Sequence, residues 1–393
     1  MTPVFLNAMG VVCALGRGEA AVREALFSTT LGGVAPTDRY TSGRMLHLGC
    51  LPFEPEPLHA AHPLQRSRNN AVLKSALDGL RPQVDAAIEK FGPTRVAIVL
   101  GVSTSGVEEG ERAAQQHQRD GTWPDGFDYA QQELGNAAAY LSSELGVSGP
   151  AHVISTACSS GAKAMASGAR LLQAGLVDAV VAGGVDALCS FTIAGFSALE
   201  SVSAERCNPM SLHRHGINIG EGAALFLMTR EAGPLRLAGW GETSDAHHMS
   251  APDPSGRGAL NAMQQALQRA GVQGRDVGYV NLHGTATPLN DAMESAAVAS
   301  LLGLDVPASS TKPLTGHALA AAGSIEAAIA WITMVDNPQG LLPPHWWDGA
   351  VDPALPAIRL VTPGERVGRA PSHVLSNSFA FGGSNATLLL SQG

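Results

Sequence analysis

Short apolar runs alternate with helical patterns along most of the chain. Val96 to Leu100 and Ala179 to Ala182 have the pattern of buried strands, and Ala162 to Leu172 between them has apolar residues at helical spacing. The alternation resumes after Gly233-Pro234, where Leu235 to Trp240 is predicted to be a strand. Strands that alternate with helices of this length are typical of an α/β fold with a mostly parallel sheet covered by helices.

The pattern occurs in two successive parts of the chain, which predicts an internal duplication. We expect an N-terminal half over residues 1–234 and a C-terminal half over residues 235–393, without strong residue identity between them. A chain of 393 residues is longer than one ordinary domain and suits two halves. Residues 31–65 are predicted to be a surface loop, and residues 191–218 to be irregular.

The composition favours a large core and argues against several classes of protein. Apolar residues make up 45% of the chain and charged residues 15%, and a net charge of −9 argues against nucleic-acid binding. The five cysteines are scattered without CxxC spacing, so neither a disulfide framework nor a structural metal site is expected. No secretory signal is recognised, and the apolar stretch 318–335 contains Glu326, which indicates a buried helix and no membrane span. We expect a cytoplasmic protein.

Cys158 lies where a predicted strand, Val153 to Ser155, turns into the first turn of a helix. Unpaired backbone N–H groups and the positive end of the helix dipole lie at such a position. Both favour a thiolate, which is the nucleophilic form of cysteine. The alternative is a buried cysteine that serves only as a small core residue.

Two further segments carry reactive side chains at the predicted ends of strands. His283 ends one strand, and Lys312 and His317 follow another. Because functional sites in open α/β sheets gather at the carboxyl ends of strands, these side chains are expected to converge with Cys158. Two neutral imidazoles could stabilise negative charge on a thioester oxygen, and Glu326 could pair with Lys312. Alternatively, each histidine is a structural residue and Lys312 is solvated.

The segment Asn377 to Asn385 contains a Phe-x-Phe-Gly-Gly turn between two predicted strands. The glycines after Phe381 would let backbone N–H groups face a ligand, as an oxyanion hole requires. A hairpin with simple aromatic packing is the alternative interpretation.

Together these motifs resemble β-ketoacyl-acyl carrier protein synthases of the I/II type, which have the thiolase-like fold. The resemblance covers nearly the whole chain, and it implies two duplicated βαβαβ halves in a layered α-β-α-β-α architecture. The matching motifs are TACSSGA around Cys158, HGTATPLND from His283, STKPLTGHALAAAGSIEAA from Ser310, NSFAFGGSNA from Asn377 and SDAHHMSAP at Ser244 to Pro252.

The resemblance also implies residue roles in a decarboxylative condensation with malonyl carrier protein. Cys158 would carry the acyl chain as a thioester, while His283 and His317, supported by Lys312 and Glu326, would bind the malonyl thioester. The oxyanion hole and gate would comprise Cys158, Phe381 and Gly382. Substrate-binding residues would be Thr285 and Thr287 for the phosphopantetheine arm, with Phe379, Phe196, His248 and Ser250.

The expected partners are an acyl carrier protein and a second subunit, in a homodimer or in a heterodimer with a chain-length-factor-like chain. No cofactor or metal of its own is implied, because 4′-phosphopantetheine arrives on the carrier protein. Arg66, Arg68 and Lys74 are candidate contacts for an acidic carrier.

The chain departs from the usual family pattern before Gly220-Glu221-Gly222. It has Asn208-Pro209-Met210-Ser211 and Arg214-His215-Gly216-Ile217 where the family usually reads Arg-Pro-Phe-Asp and Arg-Asp-Gly-Phe. This predicts a specialised enzyme of a polyketide or polyene pathway, of the aryl polyene kind. The other interpretations are a non-catalytic chain-length-factor-like subunit, a thiolase acting on coenzyme A thioesters, which would need a second reactive cysteine, and a cysteine hydrolase.

Overall fold

The computed structural model describes residues 2–393, which form a twelve-stranded sheet, a separate two-stranded sheet and eleven α-helices. The strands are β1 (Phe5–Cys13), β2 (Gly16–Arg17), β3 (Ala35–Thr37), β4 (Leu46–Leu48), β5 (Val96–Gly101), β6 (Ala151–Ile154), β7 (Ala179–Asp186), β8 (Gly222–Thr229), β9 (Leu235–Ser244), β10 (Tyr279–Asn281), β11 (Pro307–Ser309), β12 (Arg359–Leu360), β13 (His373–Ala380) and β14 (Ser384–Gln392). The helices are α1 (Glu19–Leu26), α2 (Arg68–Leu77), α3 (Arg81–Phe91), α4 (Val107–Asp120), α5 (Asn136–Leu145), α6 (Ser160–Gln173), α7 (Ser190–Ala198), α8 (Arg257–Ala270), α9 (Pro288–Leu302), α10 (Lys312–Thr315) and α11 (Ala322–Met334).

The two halves of the chain repeat one strand arrangement. In the first half the strand order is β1-β8-β7-β5-β6, and in the second it is β9-β14-β13-β10-β11. In both halves the first two pairings are antiparallel and the next two are parallel. The predicted duplication is therefore confirmed in the topology. Because Leu6 of β1 pairs with Leu235 of β9, the strands form one continuous sheet, and a domain boundary at residue 234 stays a prediction.

The prediction of a mostly parallel sheet is wrong. Parallel pairing is confined to β5, β6 and β7 in one half and to β10, β11, β12 and β13 in the other. The chain returns from β13 to β14 through the short turn Phe381–Gly383. A connection of this length can join only antiparallel strands, because a parallel crossover needs a dozen or more residues.

Helices α6 and α11 form a central layer between the sheet regions of the two halves. Every residue of α11 is buried, and its apolar residues share one core with those of α6 and with strands from both halves. Helices α2, α3 and α5 cover the outer face of the first half, and α8 and α9 cover that of the second. This is the expected α-β-α-β-α layering, and it makes the central helices a shared core for both halves.

The central helices touch through their backbones at two glycines. A Cβ atom on Gly161 of α6 would lie 2.8 Å from the carbonyl oxygen of Ala320, and one on Gly323 of α11 would lie 3.1 Å from the nitrogen of Ala162. Because real Cβ atoms are rarely found this close to backbone atoms, only glycine allows the contact. The contact fixes the N-terminal end of α6 against the start of α11.

The prediction that residues 191–218 are irregular is wrong for its first part, which is helix α7. At its start, the backbone N–H groups of Ser190 and Phe191 donate hydrogen bonds to the carboxylate of Glu111 in α4. The sequence of α7 does not alternate between a polar and an apolar face, so no helical periodicity is visible. The carboxylate that accepts hydrogen bonds at its first turn belongs to α4 and is distant in sequence. No helix among residues 2–393 is both long and apolar enough to cross a membrane.

Candidate active site

The predicted reactive segments meet beyond the carboxyl ends of strands β6, β10, β11 and β13. Cys158 lies between the end of β6 and the start of α6, and His283 follows β10. Lys312 opens α10 directly after β11, and Phe381 lies in the turn that joins β13 to β14. Ala157 has a φ of 52°, a left-handed conformation that turns the chain sharply before the cysteine. Because β6 lies at one edge of the sheet and β10 and β11 lie near the other, the packing of both halves against the central helices assembles the site.

Cys158, His283 and His317 form a compact buried cluster. The Nε2 atom of His317 lies 2.9 Å from the sulfur of Cys158. The two imidazole rings are 5.3 Å apart and nearly perpendicular, and one nitrogen of each ring and the sulfur all lie within 4.8 Å of one another. All three residues are buried, yet all three line one cavity. A thioester placed beside the sulfur would therefore meet both rings.

Both histidines are held neutral by their surroundings. Burial lowers the pKa of His283 and His317 well below 6.5, and the positive charge of Lys312 lowers both pKa values further. A neutral imidazole can donate one N–H to a developing oxyanion without bringing a formal charge into the core. The expectation of neutral imidazoles thus agrees with their electrostatic environment.

Lys312 and Glu326 form a buried ion pair behind the histidines. The Lys312 ammonium donates to the Glu326 carboxylate, and both side chains are almost fully excluded from solvent. Burial raises the pKa of Glu326 to about 7, and the attraction of Lys312 opposes that rise. Neither residue lines the cavity, so both act on the reacting groups through charge and packing.

The structure corrects the expectation that the helix end makes Cys158 anionic. Burial raises the pKa of the Cys158 thiol to about 11, although Lys312 and the backbone N–H groups of Phe381 and Cys158 act in the opposite direction. Desolvation outweighs these contacts, so the free enzyme holds a protonated thiol at neutral pH. The imidazole of His317, 2.9 Å away, is the nearest group that can accept its proton.

This thiol pKa predicts a steep pH dependence for chemical modification of the free protein. The rate of Cys158 alkylation by iodoacetamide should rise about tenfold for each pH unit between roughly pH 7 and 9, because the thiolate fraction grows tenfold per unit below the pKa. The time course of the intact mass would measure this rate. The same measurement on Cys158→Ala gives the alkylation of the other four cysteines, which is then subtracted. A rate that stays flat over this range would show that the thiolate is already formed at pH 7.

Two backbone N–H groups surround the sulfur, and Gly382 is not one of them. The backbone N–H groups of Cys158 and Phe381 both lower the pKa of the thiol, which places them near the sulfur, where an oxyanion hole needs its donors. The N–H of Gly382 instead donates to the carbonyl of Met249 at 2.8 Å. Gly382 has a φ of 82°, so its contribution is the left-handed turn that aims the Phe381 N–H.

A cavity of about 360 Å³ opens at the sulfur and takes in most of the predicted substrate-binding residues. Those that line it are Phe196, Ser250, Thr285, Thr287 and Phe379, together with the gate residue Phe381. The rings of Phe196 and Phe381 are 5.8 Å apart, so the predicted gate rests on α7.

The structure does not bring His248 to the cavity. Its ring is exposed and accepts hydrogen bonds from the backbone N–H groups of Ser250 and Ala251. This residue therefore shapes the loop, and its neighbour Ser250 faces the cavity.

Glu294 is a buried residue of the site that the sequence analysis missed. Its carboxylate accepts the backbone N–H groups of His283 at 2.8 Å and Gly284 at 2.7 Å, and the side-chain amide of Asn377 at 3.1 Å. Burial raises the pKa of Glu294 to about 7. The only sequence signal was a glutamate among apolar residues on α9, and that pattern does not reveal its partners.

The predicted basic patch is not a single surface. Arg68 is buried and ion-paired with Glu221 at 2.8 Å, and Lys74 pairs with Asp78 at 2.9 Å. Only Arg66 is exposed, and its guanidinium donates to backbone carbonyls of its own loop. Arg68 is therefore excluded as a docking residue, because it lies on the buried face of α2.

Comparisons with known proteins give one consistent family. Residues 78–233 match the family described as "Beta-ketoacyl synthase, N-terminal domain", and residues 235–345 match the family described as "Beta-ketoacyl synthase, C-terminal domain". The 3-oxoacyl-[acyl-carrier-protein] synthase 2 of Rhizobium meliloti is 36% identical over 273 residues, which cover 65% of this chain and 63% of that protein. The same-named protein of Staphylococcus aureus is 34% identical over 270 residues, which cover 64% of this chain and 66% of that protein. The chain thus matches somewhat less than two thirds of the length of these curated relatives.

Two solved structures are similar over the whole chain. The ketosynthase (ApeO) of Xenorhabdus doucetiae, determined in complex with its chain length factor (ApeC), has a TM-score of 0.95 and 41% identity, with 100% of this chain and 98% of that chain covered. A beta-ketoacyl synthase from Burkholderia phymatum STM815 has a TM-score of 0.89 and 27% identity, with 100% of both chains covered.

Proposed function

This chain belongs to the β-ketoacyl synthase family, and from that premise we propose that it condenses an acyl thioester with malonyl carrier protein to give a β-ketoacyl carrier protein. The observation that carries the proposal is the juxtaposition of one nucleophilic sulfur and two neutral imidazoles at one cavity. The sulfur can hold an acyl group while the imidazoles stabilise an enolate, and a decarboxylative condensation needs both.

The first step loads the acyl chain onto Cys158. The thiol proton passes to His317, and the sulfur attacks the carbonyl carbon of the acyl carrier thioester. The negative charge on the carbonyl oxygen is held by the N–H groups of Cys158 and Phe381. When the tetrahedral adduct collapses, its bond to the phosphopantetheine sulfur breaks, and that thiolate takes the proton from His317.

The second step generates the carbon nucleophile. The malonyl thioester oxygen accepts hydrogen bonds from His283 and His317, so that charge can build on it. The bond to the carboxylate breaks, CO₂ leaves, and its electron pair forms the enolate. The hydroxyls of Thr285 and Thr287, which line the cavity 2.9 Å apart, are placed to bind the phosphopantetheine arm.

The third step joins the two chains. The enolate carbon attacks the acyl-Cys158 carbonyl, a carbon–carbon bond forms, and the carbon–sulfur bond to the enzyme breaks. The oxyanion hole again stabilises the tetrahedral intermediate, and the released Cys158 thiolate takes up one proton from solvent, which restores the thiol. These three steps balance without an oxidant and use no cofactor other than the carrier arm.

The proposal extends to partners and pathway. Similarity to a ketosynthase that was solved with its chain length factor supports a heterodimer with a chain of that kind. The substituted segments at residues 208–211 and 214–217 support a specialised polyketide or polyene pathway of the aryl polyene kind. The five free cysteines, all within residues 2–393, are consistent with the predicted cytoplasmic location.

The other predicted functions fit the site less well. A chain-length-factor-like subunit would lack the nucleophile, whereas Cys158, His283, Lys312 and His317 are all present and assembled. A thiolase needs a second reactive cysteine, and Cys158 is the only cysteine among the described residues that line the cavity.

The direct test is to offer the protein acyl and malonyl carrier proteins, alone and with a co-expressed chain-length-factor-like subunit. We expect the intact mass of the protein to rise by one acyl group and a β-ketoacyl carrier protein to appear with release of CO₂. A folded protein that takes up no acyl group from any carrier, with or without the second subunit, would contradict the proposal.

A further inference from the structure

The two donors of the oxyanion hole come from opposite halves of the chain. The N–H of Cys158 belongs to the entry into α6, whereas the N–H of Phe381 belongs to the turn between β13 and β14. Local backbone geometry cannot set the distance between donors on separate elements. Some contact between the turn and α6 must fix this distance, because an oxyanion hole works only when both donors are in place beforehand.

Two of the hydrogen bonds that hold the turn come from its own half of the chain. The N–H of Gly382 donates to the carbonyl of Met249, and the N–H of Asp245 donates to the carbonyl of Gly383 at 2.9 Å. Both partners lie in the loop that follows β9, and Met249 is exposed. These bonds shape the turn, but they do not connect it to Cys158.

The connection to the nucleophile is made by the hydroxyl of Ser384. Its oxygen accepts a hydrogen bond from the Lys163 ammonium at 2.6 Å, and it lies 3.0 Å from the Ser159 hydroxyl, which divides its one proton between Ser384 and the carbonyl of Thr156 at 2.9 Å. A hydroxyl oxygen has two lone pairs, so it can accept both bonds at once. Ser159 adjoins Cys158 in the chain, and Lys163 lies one helical turn further along the same face of α6.

Lys163 is not placed as an ordinary surface lysine. It is half-buried, burial lowers its pKa, and Arg170 on the same helix lowers it further. Within residues 2–393, no carboxylate forms a salt bridge with it. Keeping a half-buried ammonium without a counter-ion costs free energy, so its short bond to Ser384 needs an explanation other than charge pairing.

We propose that Lys163 is a positioning residue for the oxyanion hole, which acts through Ser384 to hold the Phe381 N–H at a fixed distance from the Cys158 N–H. The proposal rests on the proposed condensing activity and adds a residue to it. A bond to a charged donor is stronger than one between neutral groups, so Lys163 supplies the firmer of the two links from α6 to the turn.

The test separates the steps that need the oxyanion hole from the step that needs only the imidazoles. In Lys163→Met, the rate of acyl transfer from an octanoyl pantetheine thioester to Cys158 should fall about tenfold to a hundredfold, chiefly in kcat, because a donor is misplaced but not removed. Decarboxylation of malonyl pantetheine, measured in a Cys158→Gln background, should stay within about twofold after Lys163→Met is added.

Matched variants separate positioning from a general loss of charge or stability. Arg170→Met removes another cation from α6 without touching Ser384, and it should acylate at the parent rate. Ser384→Ala should reproduce the acylation defect, and the double variant Lys163→Met/Ser384→Ala should be no slower than Ser384→Ala alone. Acylation by Lys163→Met at the parent rate, or an equal loss of acylation and decarboxylation, would overturn the positioning role. Failure of the parent to acylate at all would instead count against the condensing function.

Discussion

Replacement of Cys158 by alanine should lower acyl loading and condensation by at least about 10⁴-fold, since loss of a covalent nucleophile removes the step itself. The remaining thiols offer no substitute: Cys13, Cys189 and Cys207 are buried, and none of the other four lines the cavity. Loading is measured as the gain of acyl mass on the protein, and condensation as release of β-ketoacyl carrier protein.

The matched control for this variant is Cys158→Gln. Its amide cannot form a thioester, but the two histidines are untouched, so malonyl carrier protein should still lose CO₂. A Cys158→Ala protein that condenses measurably would remove Cys158 from its role. A folded Cys158→Gln protein without decarboxylation would show that the sulfur itself takes part in breaking the carbon–carbon bond.

Replacement of either histidine by alanine should slow decarboxylation by about 10²- to 10³-fold, the usual cost of losing one donor to a developing oxyanion. The two variants should differ in acyl loading. His317 hydrogen-bonds the Cys158 sulfur, whereas His283 does not, so His317→Ala should also load slowly and His283→Ala should load nearly normally.

Single-turnover loading and CO₂ release, measured separately on each variant, would check this division of roles. Asparagine at each position is the control, because it retains a neutral N–H donor of similar size and should restore part of the decarboxylation rate. Equal loading by both alanine variants would contradict the assignment of the proton transfer to His317.

The part of the site that the sequence predicted is the part built on strand ends. Cys158 and His283 each follow an apolar run, Lys312 follows the short strand at Ala308, and functional sites in α/β folds gather at the carboxyl ends of strands. The repeated alternation of strands and helices likewise predicted the duplicated halves, because periodicity is a local property that the sequence displays directly.

What the sequence could not show depends on contacts between distant segments. Glu294 accepts a hydrogen bond from the backbone N–H of His283, and Glu111 accepts one from the backbone N–H of Ser190 at the start of α7. In the sequence, neither residue can be told apart from other glutamates on helices. The pKa of Cys158 is higher than the sequence predicts for the same kind of reason. The helix end is visible in the sequence, whereas the burial that outweighs it arises only from the assembled layers.

The glycine contact between α6 and α11 has a consequence for how such a protein can diverge. Gly161 lies three residues beyond the nucleophile, and Gly323 lies six residues beyond His317, so their contact sets the distance between sulfur and imidazole from behind. A methyl group at either position would act as a wedge that separates the two reacting groups while every reactive side chain is retained. A duplicated copy could thus lose its chemistry and keep its shape through the change of one glycine that carries no reactive group.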